Sequence, residues 1–140
     1  MATPSRNLRC IVVTPERALL DEPADSVTLP MFDGELGVLW GRAPLIGRLG
    51  FGDLRFRNGD KVHHLYVDGG FVQIRNNVVT VLTSRAMKPD EISAAAAEQA
   101  LASAQSAQKK AVGPEAQKAQ LVAQDKARAQ IRIAKRVKVD

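Results

Sequence analysis

The amino-acid composition of this 140-residue chain changes sharply near position 88. All six aromatic residues and nine of the ten glycines lie at or before position 71, whereas fifteen alanines follow position 93. Glycines and aromatic residues suit turns and pleated sheets, and alanine is the strongest helix former. The sequence therefore predicts a β domain over residues 1–87 and a helical domain over residues 88–140, joined by a hinge at Met87, Lys88 and Pro89.

Short apolar segments with strand-like patterning recur through the first domain. Turn residues separate them: Asn58-Gly59 and Asn76-Asn77 suit tight hairpins, and Asp68-Gly69-Gly70 suits a bend or bulge. Many short strands with closely spaced turns predict an antiparallel sandwich or barrel. The segments are 8–13, 26–29, 54–57, 62–67 and 78–82.

The second domain has the pattern of a two-helix hairpin. Asp90 to Ser93 supply helix-starting side chains before a first helix over residues 94–110, and Gly113-Pro114 breaks it from a second helix over residues 115–136. Alanine dominates the expected interface between the helices. Apart from Val112 in the turn, the only large aliphatic members are Ile92, Leu101, Leu121, Val122, Ile131, Ile133 and Val137. Since alanine buries little apolar surface, we expect a weakly anchored, mobile hairpin.

Charge is distributed unevenly along the chain. Residues 1–108 carry 11 Lys/Arg and 12 Asp/Glu, net −1, whereas residues 109–140 carry 9 and 3, net +6. The basic end predicts an acidic partner: a nucleic acid, an anionic membrane surface or an acidic protein patch. The sequence has neither a membrane-spanning apolar stretch nor a signal-peptide core, which predicts a cytoplasmic chain. The single cysteine, Cys10, excludes an internal disulfide and is expected to be buried and inert.

No set of residues in the sequence assembles a catalytic or metal site. His63 and His64 are neighbours in a strand and therefore point to opposite faces. Asp33 and Glu35 lie in a glycine-flanked turn, where solvated carboxylates are expected. The glycine-rich segment 47–52 lacks the lysine and helix of a phosphate-binding loop. We therefore expect no enzyme activity, metal or cofactor.

Residues 32–45, FDGELGVLWGRAPL, resemble a signature of the epsilon subunit of F-type ATP synthases, D/S-G-E-L-G-x-x-x-G-H-A-P-L. Further similarities are VVTPE at 12–16, VDGGFVQ at 67–73, NVVTVL at 77–82 and AQDKARAQIR at 123–132. The resemblance covers nearly the whole chain in the right order. It implies a flattened β-sandwich of about ten strands followed by two helices.

In function, the resemblance implies a non-catalytic subunit of the rotating central stalk, which couples ring rotation to ATP synthesis. Its implied partners are the gamma subunit, the membrane-embedded ring of c subunits and the catalytic beta subunits. Its implied location is the cytoplasmic face of the cell inner membrane, held there only through the complex. The helices are implied to inhibit ATP hydrolysis.

The resemblance also implies which residues meet the c ring. They lie in a turn and a loop expected at one end of the sandwich: Asp33, Gly34, Glu35, Gly41, Arg42, Ala43 and Pro44. Arg42 replaces the usual histidine of the family, so a permanent cation stands where a titratable group is usual. Glu35 is expected to pair with Arg42 or with an arginine of the ring. The alternative is that these residues only shape two turns.

The helical domain supports two further expectations. Arg128, Arg132 and Arg136 recur at every fourth residue and form one cationic stripe with Lys135. The resemblance implies that this stripe contacts an acidic loop of beta as an electrostatic brake; the alternative is a solvated helix face. Some relatives bind ATP through I/L-D-x-x-R-A, but here residues 92–97 read ISAAAA, so we expect no ATP binding in that mode.

Two other classes of protein remain as alternatives. A basic helix on a sheet scaffold is compatible with a nucleic-acid-binding module, although no base-stacking aromatic residues accompany the stripe. A ligand-binding sandwich with the hairpin as its lid would need a deep pocket lined by convergent polar groups, and the sequence supplies no such set.

Overall fold

The computed structural model describes residues 7–138, and side chains through residue 135. The chain divides into two compact units between Ala86 and Met87. The first unit contains eight strands: β1 (Leu8–Val13), β2 (Ala18–Ala24), β3 (Ser26–Met31), β4 (Gly34–Leu39), β5 (Leu45–Asn58), β6 (Lys61–Arg75), β7 (Val78–Leu82) and β8 (Ala86–Met87, reaching one residue past the boundary). The second contains a 3-10 turn (Pro89–Glu91), α1 (Ala94–Lys110) and α2 (Pro114–Lys138).

The strands of the first unit form one continuous sheet that is folded into two layers. Hydrogen-bonded neighbours follow the order β2-β1-β7-β6-β5-β3-β4, and β8 pairs with β6. The long strands β5 and β6 run through both layers, and each half of one pairs with the opposite half of the other. β1 and β3 share no hydrogen-bonded pairing, yet they contact each other and contribute to one apolar core. This architecture confirms the predicted β-sandwich with a helical hairpin.

Two details of the sheet differ from the expectation. The described residues contain eight strands rather than about ten, because β5 and β6 each continue through a bend instead of dividing in two. Gly69 and Gly70 form that bend in β6 with positive φ angles of 77° and 114°. The pairing of β1 with β7 is parallel, whereas the other main pairings are antiparallel. A parallel pair is possible here because five whole strands intervene, more chain than such a crossover requires.

Alternation along the strands builds the core. In β1, Leu8, Cys10 and Val12 are buried, while the residues between them are exposed or half-buried. Valines and leucines from β3, β5, β6 and β7 complete the same core. Burial of each such side chain stabilises the fold by about 1.5–3 kcal/mol. The sandwich is therefore a firm scaffold for the loops and faces that it presents.

The hairpin helices begin where the sequence predicts. The Ser93 hydroxyl caps α1 by accepting a hydrogen bond from the amide of Ala96 at 3.2 Å. Pro114 is the first residue of α2, and the carbonyl of Gly113 accepts the first α2 hydrogen bond, from Gln117 at 3.1 Å. Gly113 has φ +97°, a conformation that favours glycine. Over the described residues, neither helix has the length and hydropathy needed to cross a membrane.

The contact between the two helices is built mostly from alanine, as expected. Ala97 and Ala104 are buried on α1, and Ala127 and Ala134 are buried on α2. The expected contribution of Leu121 to this interface is wrong, because 45% of its surface is exposed. Ile92 and Ile133 are buried, and Leu101, Val122 and Ile131 are half-buried. The side chain of Val137 lies outside the described residues.

Candidate interaction surfaces

The two histidines make separate contacts on opposite faces of β6. The ring of His63 stacks on Phe56 with centroids 4.8 Å apart. The Nδ1 atom of His64 lies 2.8 Å from Oδ2 of Asp53. Among the described residues, no three histidine, cysteine, aspartate or glutamate side chains are grouped as metal ligands.

The expected ring-contact residues Asp33, Gly34 and Glu35 lie where β3 turns into β4: Asp33 is in the turn, and Gly34 and Glu35 begin β4. The amide of Phe32 donates a hydrogen bond to the carbonyl of Arg48, which ties this turn to β5. Glu35 Oε2 lies 3.1 Å from a guanidinium nitrogen of Arg55. The expectation that Glu35 pairs with Arg42 is therefore wrong within this chain.

The salt bridge of Glu35 belongs to a larger charged network that the sequence analysis missed. Arg55 also lies 3.9 Å from Asp53, which in turn pairs with His64. The network joins β4, β5 and β6 on one face of the sheet. Asp53 and Arg55 are two residues apart in a strand, and this spacing is the signal that places both side chains on one face. Glu35 and His64 reach these two side chains only through the pairing of distant strands, which the sequence pattern does not reveal.

The loop between β4 and β5 carries the remaining ring-contact candidates, Gly41, Arg42, Ala43 and Pro44. The Gly41 amide donates to Asn77 Oδ1 at 2.7 Å, so the β6–β7 turn supports this loop. Arg42 is half-buried, whereas Ala43 and Pro44 are exposed. A cationic side chain and two small apolar residues therefore lie on the outside of a loop held by a neighbouring turn.

The turn and the loop lie at opposite ends of β4. Asp33 precedes β4 and Gly41 follows it, so the six residues of β4 separate them. A strand of this length spans about 17–20 Å. That both segments belong to one end of the sandwich stays a prediction. A partner that touches both must extend along β4.

An exposed apolar face lies on the outside of β5, β6 and β7. Phe71 is directly opposite Leu82 across the β6–β7 pairing, and 60% and 54% of their surfaces are exposed. Ile46, 78% exposed, lies on the same side of the sheet, two residues before Arg48, the partner of Phe71. We call Ile46, Phe71 and Leu82 the apolar face. Adjoining exposed apolar side chains commonly mark a site of protein contact.

The basic stripe lies on the exposed side of α2. Arg128, Arg132 and Lys135 are exposed, whereas the side chain of Arg136 lies outside the described residues. Arg128 lies 3.5 Å from Asp125 and 3.4 Å from the amide oxygen of Gln124. Arg128 of the basic stripe therefore already contacts two neighbours on its own helix.

The expected hinge lies where the two units divide. Met87 ends β8, Pro89 begins the 3-10 turn, and the Lys88 amide between them donates to the Glu91 carboxylate at 3.2 Å. The expected helix break at Gly113 and Pro114 separates α1 from α2 by three residues.

A two-layer sandwich with an apolar face, followed by an alanine-rich hairpin with a basic stripe, defines a protein that acts through contact surfaces. Comparison with known proteins identifies the family. Residues 7–89 match the family model described as "ATP synthase, Delta/Epsilon chain, beta-sandwich domain". The chain belongs to this family of ATP synthase delta and epsilon chains. No comparison supports the alternative of a nucleic-acid-binding module.

Curated relatives are consistent with this assignment. The ATP synthase epsilon chain of Rhodopirellula baltica is 58% identical over 84 residues, which cover 60% of this chain and 66% of the relative. That of Cyanothece sp. is 37% identical over 123 residues, which cover 87% and 89%. For the first three relatives, the match spans 57–66% of their own length, which is less than two thirds.

Solved structures share the fold. A chain in the mitochondrial ATP synthase of Euglena gracilis, solved with OSCP, F1 and the c-ring, has a TM-score of 0.75 at 20% identity, covering 99% of this chain and 85% of that one. A chain in the central stalk and c-ring of the Tetrahymena thermophila mitochondrial enzyme has a TM-score of 0.51 at 15% identity, covering 61% and 69%. At these identities the likeness establishes the fold alone.

Proposed function

We propose that this chain is a non-catalytic central-stalk subunit of a proton-translocating F-type ATP synthase, coupling ring rotation to ATP synthesis. The family membership supports this role, and relatives with similarity along the chain are epsilon chains. A stalk subunit transmits torque through stiff contacts, and the close-packed sandwich core suits that task. The complex, rather than any segment of this chain, attaches it to the cytoplasmic face of the inner membrane.

The apolar face is the observation that carries the proposal. Protein contacts concentrate their binding energy in a few large apolar or aromatic side chains surrounded by polar ones. Phe71 and Leu82 form such a pair, with Arg48 beside them. In this proposal the apolar face binds the gamma subunit, and residues 1–87 form the rotor-binding domain. The domain of residues 88–140 moves separately about Met87, Lys88 and Pro89.

The c ring is the second proposed partner of the sandwich. The turn Asp33, Gly34 and Glu35 and the loop Gly41, Arg42, Ala43 and Pro44 would contact it at two places along β4. Half-burial of Arg42 supports a fixed rather than a freely moving cation. Since Glu35 already pairs with Arg55, the exposed Asp33 and the half-buried Arg42 are the charged groups proposed to meet the ring.

The basic stripe of α2 is the proposed inhibitory element. Arg132 and Lys135 are exposed and, with Arg128, give one side of α2 an excess of positive charge. An acidic loop of a catalytic beta subunit is the proposed partner. In the same proposal the hairpin binds no ATP, because residues 92–97 lack the acidic and basic positions of the nucleotide motif.

The experiment is co-purification with the gamma subunit and c ring of the same enzyme. The tagged full chain should capture both. Phe71→Lys with Leu82→Lys should lower captured gamma at least tenfold, because two cations replace the apolar contact. Val62→Lys is the matched control, since Val62 is an exposed apolar residue of β6 outside the apolar face. Failure of the unaltered chain to capture gamma would refute the proposal.

A further inference from the structure

Gln124 is a buried polar side chain inside the helical hairpin. Only 3% of its surface is exposed. Its Nε2 donates a hydrogen bond of 2.6 Å to Oε1 of Gln108, which reaches across from α1. Its Oε1 accepts a longer bond of 3.4 Å from the guanidinium of Arg128. The amide of Gln124 thus joins the two helices to each other and to the basic stripe.

The alanines around this amide cannot by themselves select one alignment of the helices. Ala97 and Ala104 on α1, and Ala127 and Ala134 on α2, repeat at seven-residue spacing and present similar small surfaces. Sliding one helix by seven residues, about 10.5 Å, would again place alanine against alanine. The same slide would separate the two glutamine amides. A buried amide without a partner is costly, so the hydrogen bond favours one register.

We propose that Gln108 and Gln124 form a glutamine clamp that sets the register of the closed hairpin and limits its opening. Opening separates Gln124 from Gln108 and exposes the amide that holds Arg128. The contact between Gln124 and Arg128 lies within α2, so it orients one cation of the basic stripe in the closed and the open hairpin alike. The clamp itself is a property of the isolated chain, and its regulatory meaning rests on the proposed function.

The clamp predicts an asymmetry between two similar substitutions. Gln108→Leu leaves the buried Gln124 amide without its partner across the interface, so it should favour the open hairpin. Gln124→Leu removes the buried polar group and leaves half-buried Gln108 near water, so it should change the equilibrium less than twofold. The double variant places leucine against leucine and should restore closure. If the substitutions only disturbed the interface in general, the two single variants would instead shift the equilibrium between open and closed hairpin by similar amounts.

The measurement uses spin labels on the full chain at Gln99→Cys and Lys118→Cys. Both positions are exposed and lie on different helices outside the clamp, and native Cys10 is buried. Pulsed electron resonance then resolves closed and open distance populations, and circular dichroism checks that both helices persist. Gln108→Leu should raise the open-to-closed ratio about 5- to 30-fold.

Three results would overturn the clamp. They are an unchanged ratio in Gln108→Leu, equal opening in the two single variants, and a double variant as open as Gln108→Leu. None of these measurements needs gamma, the ring or the beta subunits. A negative spin-label result would therefore leave the stalk assignment intact. Failure to capture gamma would likewise leave the spin-label result interpretable.

Discussion

Arg9 and Cys10 are adjacent in β1, and strand alternation gives them opposite surroundings. Cys10 faces the core, where burial raises the pKa of its thiol to about 12. Arg9 faces solvent, where its Nε donates to Asp21 Oδ1 on β2 at 2.7 Å. The hydrogen bond from Arg9, with its charge, lowers the pKa of the Asp21 carboxyl. The β1–β2 pairing thus decides the chemistry of both β1 residues.

The buried thiol of Cys10 should be inert in the folded chain. Because the thiolate is the reactive species, a pKa of about 12 leaves almost none of it at pH 8. Iodoacetamide at pH 8 should add no mass to the native protein and one adduct per chain in guanidinium, as measured by mass spectrometry. Rapid modification without denaturant would contradict the assigned burial.

The Arg9–Asp21 pair should contribute stability that depends on pH. The folded pKa of Asp21 is lowered, so its contribution is present above the unfolded value of about 3.9 and disappears as pH falls through the folded value. Arg9→Gln should raise the pKa of Asp21 in NMR titration. The loss in free energy of unfolding caused by Arg9→Gln, measured by urea denaturation, should be larger at pH 6 than at pH 2. A pH-independent difference would count against this pair.

At the scale of elements, the two helices of the hairpin are defined locally but their contact is not. Ser93 and Pro114 mark the helix starts through capping chemistry that depends on neighbours in sequence. Leu121 and Ile133 are both large aliphatic residues of α2, yet one is exposed and the other fully buried. Helical periodicity allows several apolar stripes, and packing selects among them.

Ile133 should therefore stabilise the chain far more than Leu121. Ile133→Ala removes a fully buried side chain and should lower the free energy of unfolding by about 2–5 kcal/mol. Leu121→Ala, the matched control on the same helix, should cost roughly 0.5 kcal/mol. Urea denaturation followed by circular dichroism measures both. Equal losses in the two variants would show that the burial assigned to Ile133 is wrong.

For the molecule as a whole, the division between Ala86 and Met87 separates two kinds of surface. The sandwich carries the apolar face and the β3–β4 and β4–β5 segments, while α2 carries the basic stripe. Apolar contacts are insensitive to salt, whereas exposed charges are screened within about 10 Å at 0.1 M salt. The proposed assembly and braking functions should therefore separate experimentally.

Removing residues 114–140 should raise ATP hydrolysis by the assembled catalytic sector and leave the sandwich bound to gamma. Arg132→Glu with Lys135→Glu should raise ATP hydrolysis in the same way in the full-length chain, because the two substitutions replace positive charges of the stripe with negative ones. Lys109→Glu with Lys110→Glu on α1 is the control of equal charge change. The braking effect should weaken as salt increases. Unchanged hydrolysis after truncation would exclude the brake.

The amino-acid sequence by itself determined the β domain, the two helices and most turns, because alternation, capping and helix propensity act between near neighbours. It also pointed to the family through the segment around Asp33 and Arg42. Only the tertiary structure decided the parallel β1–β7 pairing, the Glu35–Arg55 salt bridge and the Gln108–Gln124 hydrogen bond. These contacts join residues distant in sequence, and many alternative pairings satisfy the same local pattern until the core packs.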